Sequence, residues 1–443
     1  VPLHYVPNSS PWILTRAHLN VVVACMVYDI VVVGVGGVGS FALRALSRRD
    51  GDAPLRILGI EQYELGHALG SSHGGTRIFR HAYVEHCDYV PLLFHSTKVF
   101  KELQQKSNIP IIEECGTLII GYRDTRKNDD GNERVLTSEV IEEWQDQTVL
   151  EACRNSAAKY GIEMETITSQ DVMKRYPFSV PDNKEGVLEP TAGFVRPESA
   201  MRAALEDARA NDVHDIHILE NTKVVSIEES SSTDGNVTIR TTTGVGNSIK
   251  TFHANAVICC GGAWNAKLLP TLRSKLRVTR QIQAWFEPPE SKRKDFSPPH
   301  FPAWFLERKE GECPLYGIPC DPCSEYPYRS KVALHGRNVT VDPDEPRYAV
   351  TNDELDEIRD AVRSLIPEAA DNIVDAQSCM YTVTPDENFV VDKCPDYEHV
   401  WCVAGLSGHG FKLTPALGQA IADLAMDGKT SLPVDFLGLK RFA

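Results

Sequence analysis

Residues 28–40 read Tyr-Asp-Ile-Val-Val-Val-Gly-Val-Gly-Gly-Val-Gly-Ser, and few folds can carry this stretch. Positions 30–33 are β-branched and apolar without interruption, the pattern of a parallel strand covered on both faces. Gly34, Gly36 and Gly39 then take up the G-x-G-x-x-G spacing. The first glycine permits a tight turn, and the second, with Gly37 beside it, lets main chain approach a pyrophosphate. The third lets the following helix pack close to the strand. That helix, expected over 40–48, offers free N–H groups and a positive dipole end to phosphates. A second strand over 55–60 ends in Glu61, whose carboxylate can accept from a ribose 2′-hydroxyl and repels a 2′-phosphate. The expectation is a doubly wound α/β domain holding FAD or NAD, and the strand by itself does not choose between them.

A chain of 443 residues has room for two domains with substantial cores. Its formal charge of −15 argues against nucleic acid or an anionic membrane surface as a partner. No apolar run approaches the ~20 residues that span a bilayer. The twelve cysteines follow no small-domain framework. Cys259 and Cys260 end an apolar strand and read as buried thiols. Cys320-Asp-Pro-Cys323, with Cys313 upstream, lacks the second ligand pair of a zinc finger, and no metal site is expected. The sequons at Asn236 and Asn338 matter only in a secreted chain.

Residues 1–25 contain no acids and no clear periodicity, and read as a leader or extension ahead of Met26. After Glu61, residues 70–83 read Gly-Ser-Ser-His-Gly-Gly-Thr-Arg-Ile-Phe-Arg-His-Ala-Tyr. A loop is expected here, then a short helix from Thr76 that puts Arg77 and Arg80 on one face. Two adjacent guanidiniums call for an anion opposite them. Helices are expected over 89–103, 137–160, 169–175, 198–209, 353–365 and 416–426, and a solvated charged loop over 125–133. A turn is expected at 230–235. Residues 254–264 form a second glycine-ended strand carrying Gly261, and 405–412 read Gly-Leu-Ser-Gly-His-Gly-Phe-Lys. The glycines of that last block, Gly408 and Gly410, let main chain approach a planar ring. The nucleotide domain is thus expected to be discontinuous, built from 26–109, 193–266 and 385–436. A substrate domain on a mixed sheet takes 110–192 and 267–384, and 437–443 is a tail.

Together these blocks resemble the monomeric sarcosine oxidase family of FAD amine oxidases, which includes pipecolate and N-methyltryptophan oxidases. The blocks at 71–80, 379–382 and 408–412 are specific in combination, and the match runs from about residue 28 to the end. The resemblance implies a Rossmann-type FAD domain of the glutathione-reductase-like class. It implies FAD held covalently through Cys379, and a substrate carboxylate held by Arg80 and Lys412. Arg77 and Lys331 would flank the flavin, with Lys331 activating oxygen. His335 would be the active-site histidine, and Tyr316 and Tyr381 would line the substrate cage. His73, Thr76 and His409 would neighbour the flavin. The implied reaction oxidises the C–N bond of an N-methyl or cyclic secondary amino acid to an imine, with O2 reduced to H2O2, in a monomer.

Gly75 and Leu406 depart from the family pattern, and the loop at 319–327 is longer than the core needs. An Amadori-product or deaminating amino acid oxidase is therefore the alternative within the superfamily. An NAD-linked dehydrogenase or a non-enzymatic flavin scaffold would leave Cys379 or the three cations without a purpose. The C-terminal Lys440-Arg-Phe-Ala443 is not a peroxisomal S-K-L-type signal. The expected location is the cytoplasm, with the peroxisome as the alternative for a truncated chain.

Overall fold

The computed structural model describes residues 26–51, 53–123, 147–229, 236–243, 248–345 and 348–442. The expected leader at 1–25, the loop at 125–133, the start of the helix expected from 137 and the turn at 230–235 lie outside the described residues.

Val27–Val33 is the inner strand of an eight-stranded sheet. Arg56–Ile60 pairs with it in parallel on one side and Ser248–Cys259 on the other. Asp215–Leu219 extends the first side in parallel. Val400–Ala404 joins Ser248–Cys259 in parallel, and Val390–Lys393 closes antiparallel on it. Successive side chains on the inner strand go to opposite faces, as strand geometry requires. Ile30 and Val32 pack with Leu43, Leu417 and Ile421, under the helices Gly37–Ser47 and Thr414–Asp427. Val31 and Val33 pack with Leu58, Ile60, Leu269 and Leu272 on the other face. Full burial of each such side chain contributes about 1.5–3 kcal/mol, which is why an unbroken apolar strand can only be central.

A nine-stranded sheet takes its strands from 117–189 and 277–383. Its long pair is Arg277–Phe286 with Ile373–Val383, antiparallel from Arg277 opposite Val383 to Phe286 opposite Ile373. Phe178, Phe286, Phe296, Phe301 and Trp304 fill the core beneath it. The helix Asn352–Arg363 starts at a capping box in which Thr351 and Glu354 satisfy each other's main-chain N–H.

Two expectations are corrected. The segment from Thr76 is not a helix. Arg77–Phe79 is a strand paired with Gly193–Val195 in a three-stranded sheet, because Ile78 and Phe79 find a β partner more than a hundred residues away. Arg77 therefore sits at the start of a strand and Arg80 just past its end, rather than the two sharing one helix face. The block around Cys379 is part of the strand Ile373–Val383. The first helix begins at Gly37, three residues before its expected start.

Candidate active site

The glycine turn is held by main chain. Gly34 has φ +88° and donates its N–H to Ile60 O at 2.8 Å. A β-carbon at Gly39 would lie 1.9 Å from Gly34 O, so the helix can start here only without a side chain. At Gly36 a β-carbon would meet nothing nearer than Ser72 Oγ at 3.9 Å. That emptiness is the cradle a pyrophosphate needs. The Gly37 N–H donates to Ser72 Oγ at 3.2 Å. Glu61 is 5% exposed and fixed by donors from Val35 N at 2.9 Å and Tyr63 N at 3.1 Å, with His67 Nε2 at 3.2 Å. An open glycine cradle with a fixed ribose acid beside it fits the adenosine diphosphate half of FAD.

From this turn one cavity of 390 Å³ continues to a wall of charged side chains. Its lining includes Gly34, Gly36, Gly37, Glu61, Gly261, Arg77, Arg80, Tyr316, His335, Cys379, Tyr381, Gly408, His409, Gly410 and Lys412. Gly39, His73, Thr76 and Lys331 are buried behind that lining. The two arginines go different ways. Arg77 donates from Nη1 to Thr76 O at 2.8 Å and from Nη2 to Ser71 O at 2.9 Å, with Nη2 4.0 Å from Cys379 Sγ. Arg80 donates to Ala82 O at 2.6 Å and pairs with Glu85 at 3.3 Å, its guanidinium lying 4.9 Å from the Tyr83 ring centre.

Lys412 donates to His409 O at 2.7 Å and lies 5.0 Å from the same tyrosine ring. Burial and the nearby Arg80 push its amine down to about 7, against the pull of Glu85. Burial opposes ionisation of Glu85, yet Arg80, His409 and Lys412 together hold its carboxyl at about 2. His335 and His409 are each pushed down to about 4, burial being the largest cause, so both imidazoles are neutral at pH 7. His335 Nδ1 stands 3.2 Å from the Tyr381 hydroxyl. His409 Nδ1 stands 2.5 Å from Tyr83 Oη and its Nε2 3.1 Å from Glu387 O. Burial raises the Tyr316 and Tyr381 hydroxyls, which stay protonated. The Lys331 amine donates to Gly74 O at 2.5 Å, Thr76 O at 2.8 Å and Gln283 Oε1 at 3.0 Å.

The sequence reading missed Glu85, the anion of this wall, although it stands five residues after Arg80. It also missed Ser72 at the turn, and Gln281, Gln283 and Phe305 in the lining. In the C-x-x-C loop, Cys320 is buried and Cys323 exposed. The residue that acts there is Asp321, which takes both Nε and Nη2 of the buried Arg196, at 2.9 and 2.7 Å. The loop is thereby pinned to the start of the helix Pro197–Arg209.

Residues 29–424 match the family described as FAD dependent oxidoreductase. The chain is 31% identical over 418 residues to a monomeric sarcosine oxidase of Streptomyces avermitilis, an alignment covering 94% of this chain and 98% of the relative. It is 29% identical to the N-methyl-L-tryptophan oxidase of Yersinia pestis, covering 94% and 100%. Among solved structures, NikD, an amino acid oxidase of nikkomycin biosynthesis, superposes with a TM-score of 0.72 at 21% identity, covering 93% of this chain and 97% of that one. L-proline dehydrogenase from P. horikoshii gives 0.72 at 20%, covering 94% and 98%. Those two likenesses show the fold, a two-domain FAD oxidase architecture with a Rossmann-type half. Among the described residues no helix is long and apolar enough to cross a membrane. The family match over residues 29–424 and the 31% identity across 98% of a monomeric sarcosine oxidase place the chain in the monomeric sarcosine oxidase family of FAD-dependent oxidoreductases.

Proposed function

We propose that the chain oxidises the C–N bond of a small secondary amino acid, N-methylated or cyclic, such as sarcosine or pipecolate. The products are an imine and H2O2. The observation that carries this reading is the arrangement around Glu85. Arg80 pairs with Glu85 at the cavity wall, and the charge of the buried Lys412 helps lower the same carboxyl. A substrate carboxylate entering there takes the same two partners, and the planar guanidinium fork sets its orientation.

FAD, when bound, supplies the two-electron acceptor that O2 later reoxidises. The chain's own residues do the rest. The cations of the wall disfavour a second positive charge, so the substrate amine is held neutral with its lone pair available. Neutral His335 and the protonated Tyr316 and Tyr381 line the cage without contributing charge. Carboxylate anchoring turns a diffusing amine into a positioned one, which is where most of the advantage of such a site lies. Arg77 and Lys331 keep positive charge beside the reactive wall, favouring the negative charge that dioxygen takes up.

Cys379 is assigned as the attachment point of the flavin, with His73, Thr76, Gly408, His409 and Gly410 around the ring. The nucleotide domain is assigned to 26–109, 193–266 and 385–436, the substrate domain to 110–192 and 267–384. The working unit is a monomer whose partners are a small amino acid and O2.

The test is anaerobic addition of sarcosine, L-pipecolate, a primary amino acid and a fructosyl amino acid to the FAD-loaded protein, following the loss of flavin absorbance. Secondary amino acids should bleach the flavin fastest. Bleaching by the primary or fructosyl compound alone moves the chain to the deaminating or Amadori-product oxidases. Acid precipitation tests the attachment: colour stays in the pellet, and moves to the supernatant in Cys379→Ser.

A further inference from the structure

Gln283 lies on the strand Arg277–Phe286, opposite Gln377, and is 2% exposed. Its Oε1 accepts from two cations at once, Lys331 Nζ at 3.0 Å and Arg77 Nη1 at 3.3 Å. Thr76 O accepts from the same two nitrogens, at 2.8 Å each. With Gly74 O at 2.5 Å, all three N–H groups of the Lys331 ammonium end on neutral oxygens. Two of those oxygens are main chain, and Gln283 supplies the third. The seat is tight, since a β-carbon at Gly74 would lie 2.6 Å from Gln283 Oε1.

The orientation of the carboxamide is set by the cations. Its other end, Nε2, is buried and has no hydrogen-bond partner among the described residues. Turning the group over would aim its N–H groups at two positive charges. A carboxylate in the same place would cancel one of the two charges. An apolar side chain would leave the ammonium one acceptor short in a buried site.

We propose that Gln283 is a positioning residue that keeps Lys331 an ammonium and separates it from Arg77 by a shared neutral oxygen. Two uncancelled positive charges then stand together behind the reactive wall. That they serve the reaction with O2 rests on the function proposed above; the effect on Lys331 itself does not.

Burial and Arg77 push the Lys331 amine well below its ordinary value. Glu198 of the helix Pro197–Arg209, Cys379 of Ile373–Val383 and Asp321 of the loop after Leu315–Ile318 oppose them. The Trp285 ring centre lies 5.2 Å from the amine. With burial already against the charge, each acceptor weighs on the protonation state.

The test uses the full chain as Gln283→Met and Gln283→Glu. The protein carries lysine labelled with 13C at Cε, and the Lys331 signal is assigned by its loss in Lys331→Met. Titration with and without FAD gives the midpoint for Lys331 directly. In Gln283→Met it should fall by about one pH unit, a tenfold change in proton affinity, and in Gln283→Glu it should rise. Stopped-flow reoxidation of substrate-reduced enzyme by O2 should slow about tenfold in Gln283→Met at pH above the new midpoint, with the rate of flavin reduction changed less than about twofold. Midpoints that stay put in both folded variants overturn the proposal. Midpoints that move while the oxygen reaction does not follow uphold Gln283 as the group that sets Lys331. They remove instead the assignment of Lys331 to oxygen.

Discussion

At the glycine end of the cavity, the groups that face inward are main-chain N–H groups and one carboxylate. Each is set by residues close in sequence or by strands paired across the first sheet. At the charged end, the groups are side chains from Arg77 to Lys412, brought to one wall from segments hundreds of residues apart. The first end works by the absence of atoms: Gly36 leaves an opening and Gly39 allows contact. The second works by balance, with cations and one anion sharing a space too dry to hold any of them alone. The first should therefore be sensitive to volume and the second to charge, and substitutions at each end can separate the two.

Gly39→Val should have the largest effect. Its β-carbon falls 1.9 Å from Gly34 O, so both the fold and flavin retention should be lost, as read by circular dichroism and by flavin absorbance per chain. Gly36→Ala should keep the melting temperature and still lose flavin affinity; equal damage from both would end the distinction between packing and opening.

Lys412→Met should lower kcat/KM for a carboxylated secondary amine by about 100-fold, corresponding to ~3 kcal/mol for removing one partner of a buried charge pair. An amine without a carboxylate should lose far less; an equal loss on both substrates would remove Lys412 from the clamp.

Acid should then weaken the folded state. His335 and His409 sit at about 4 when folded against about 6.5 when unfolded. The unfolded chain binds more protons across that window, so the stability they contribute is present above it and lost as pH falls through it. Each imidazole accounts for up to ~3 kcal/mol, and because both feel the charge of Glu85 and Lys412 their effects do not simply add. Glu85, at about 2, acts in the same direction further down. Calorimetric melting between neutral pH and pH 4 measures this, and His335→Asn should flatten part of the slope.

Glu85→Gln should have the smallest effect. Without the resident anion, a substrate carboxylate no longer competes for Arg80, and KM should fall about fivefold, ~1 kcal/mol. The Lys412 amine, at about 7 with Glu85 present, should titrate lower. KM, which rises with pH once Lys412 loses its proton, should then begin its rise at lower pH. A higher KM in Glu85→Gln would show that Glu85 orients the arginine rather than occupying the substrate's place.

The same contrast explains what could be read from the sequence. The glycine turn, the strands at 27–33 and 56–60 and the ribose acid follow from patterns less than forty residues long. The strand at Arg77–Phe79 does not, because its partner Gly193–Val195 decides it. Arg77 and Arg80 stand out by their spacing, though on an expected helix that is a strand, and the cations at 331 and 412 were reached through resemblance to a family. Nothing in their spacing brings Lys331 to Thr76 O or sets Lys412 beside Glu85. Glu85 and Gln283 had no local signal at all: one is an acid in a loop, the other one of five polar residues in the strand Arg277–Phe286.

The order in which the first sheet is assembled has a consequence for how the protein is made. Val27–Val33 emerges from the ribosome first, but its partner Ser248–Cys259 and the strand beyond it, Val400–Ala404, come hundreds of residues later. At about 5–20 residues per second, the opening strand meets Arg56–Ile60 early on one side but waits tens of seconds for its neighbour on the other. The last helix, Thr414–Asp427, and Lys412 just before it come later still. The cofactor cradle is therefore completed only when synthesis is nearly over. A product that stops short of about residue 400 carries the nucleotide signature without the strand Val400–Ala404 and the helix Thr414–Asp427 that complete its sheet and cover one face of it.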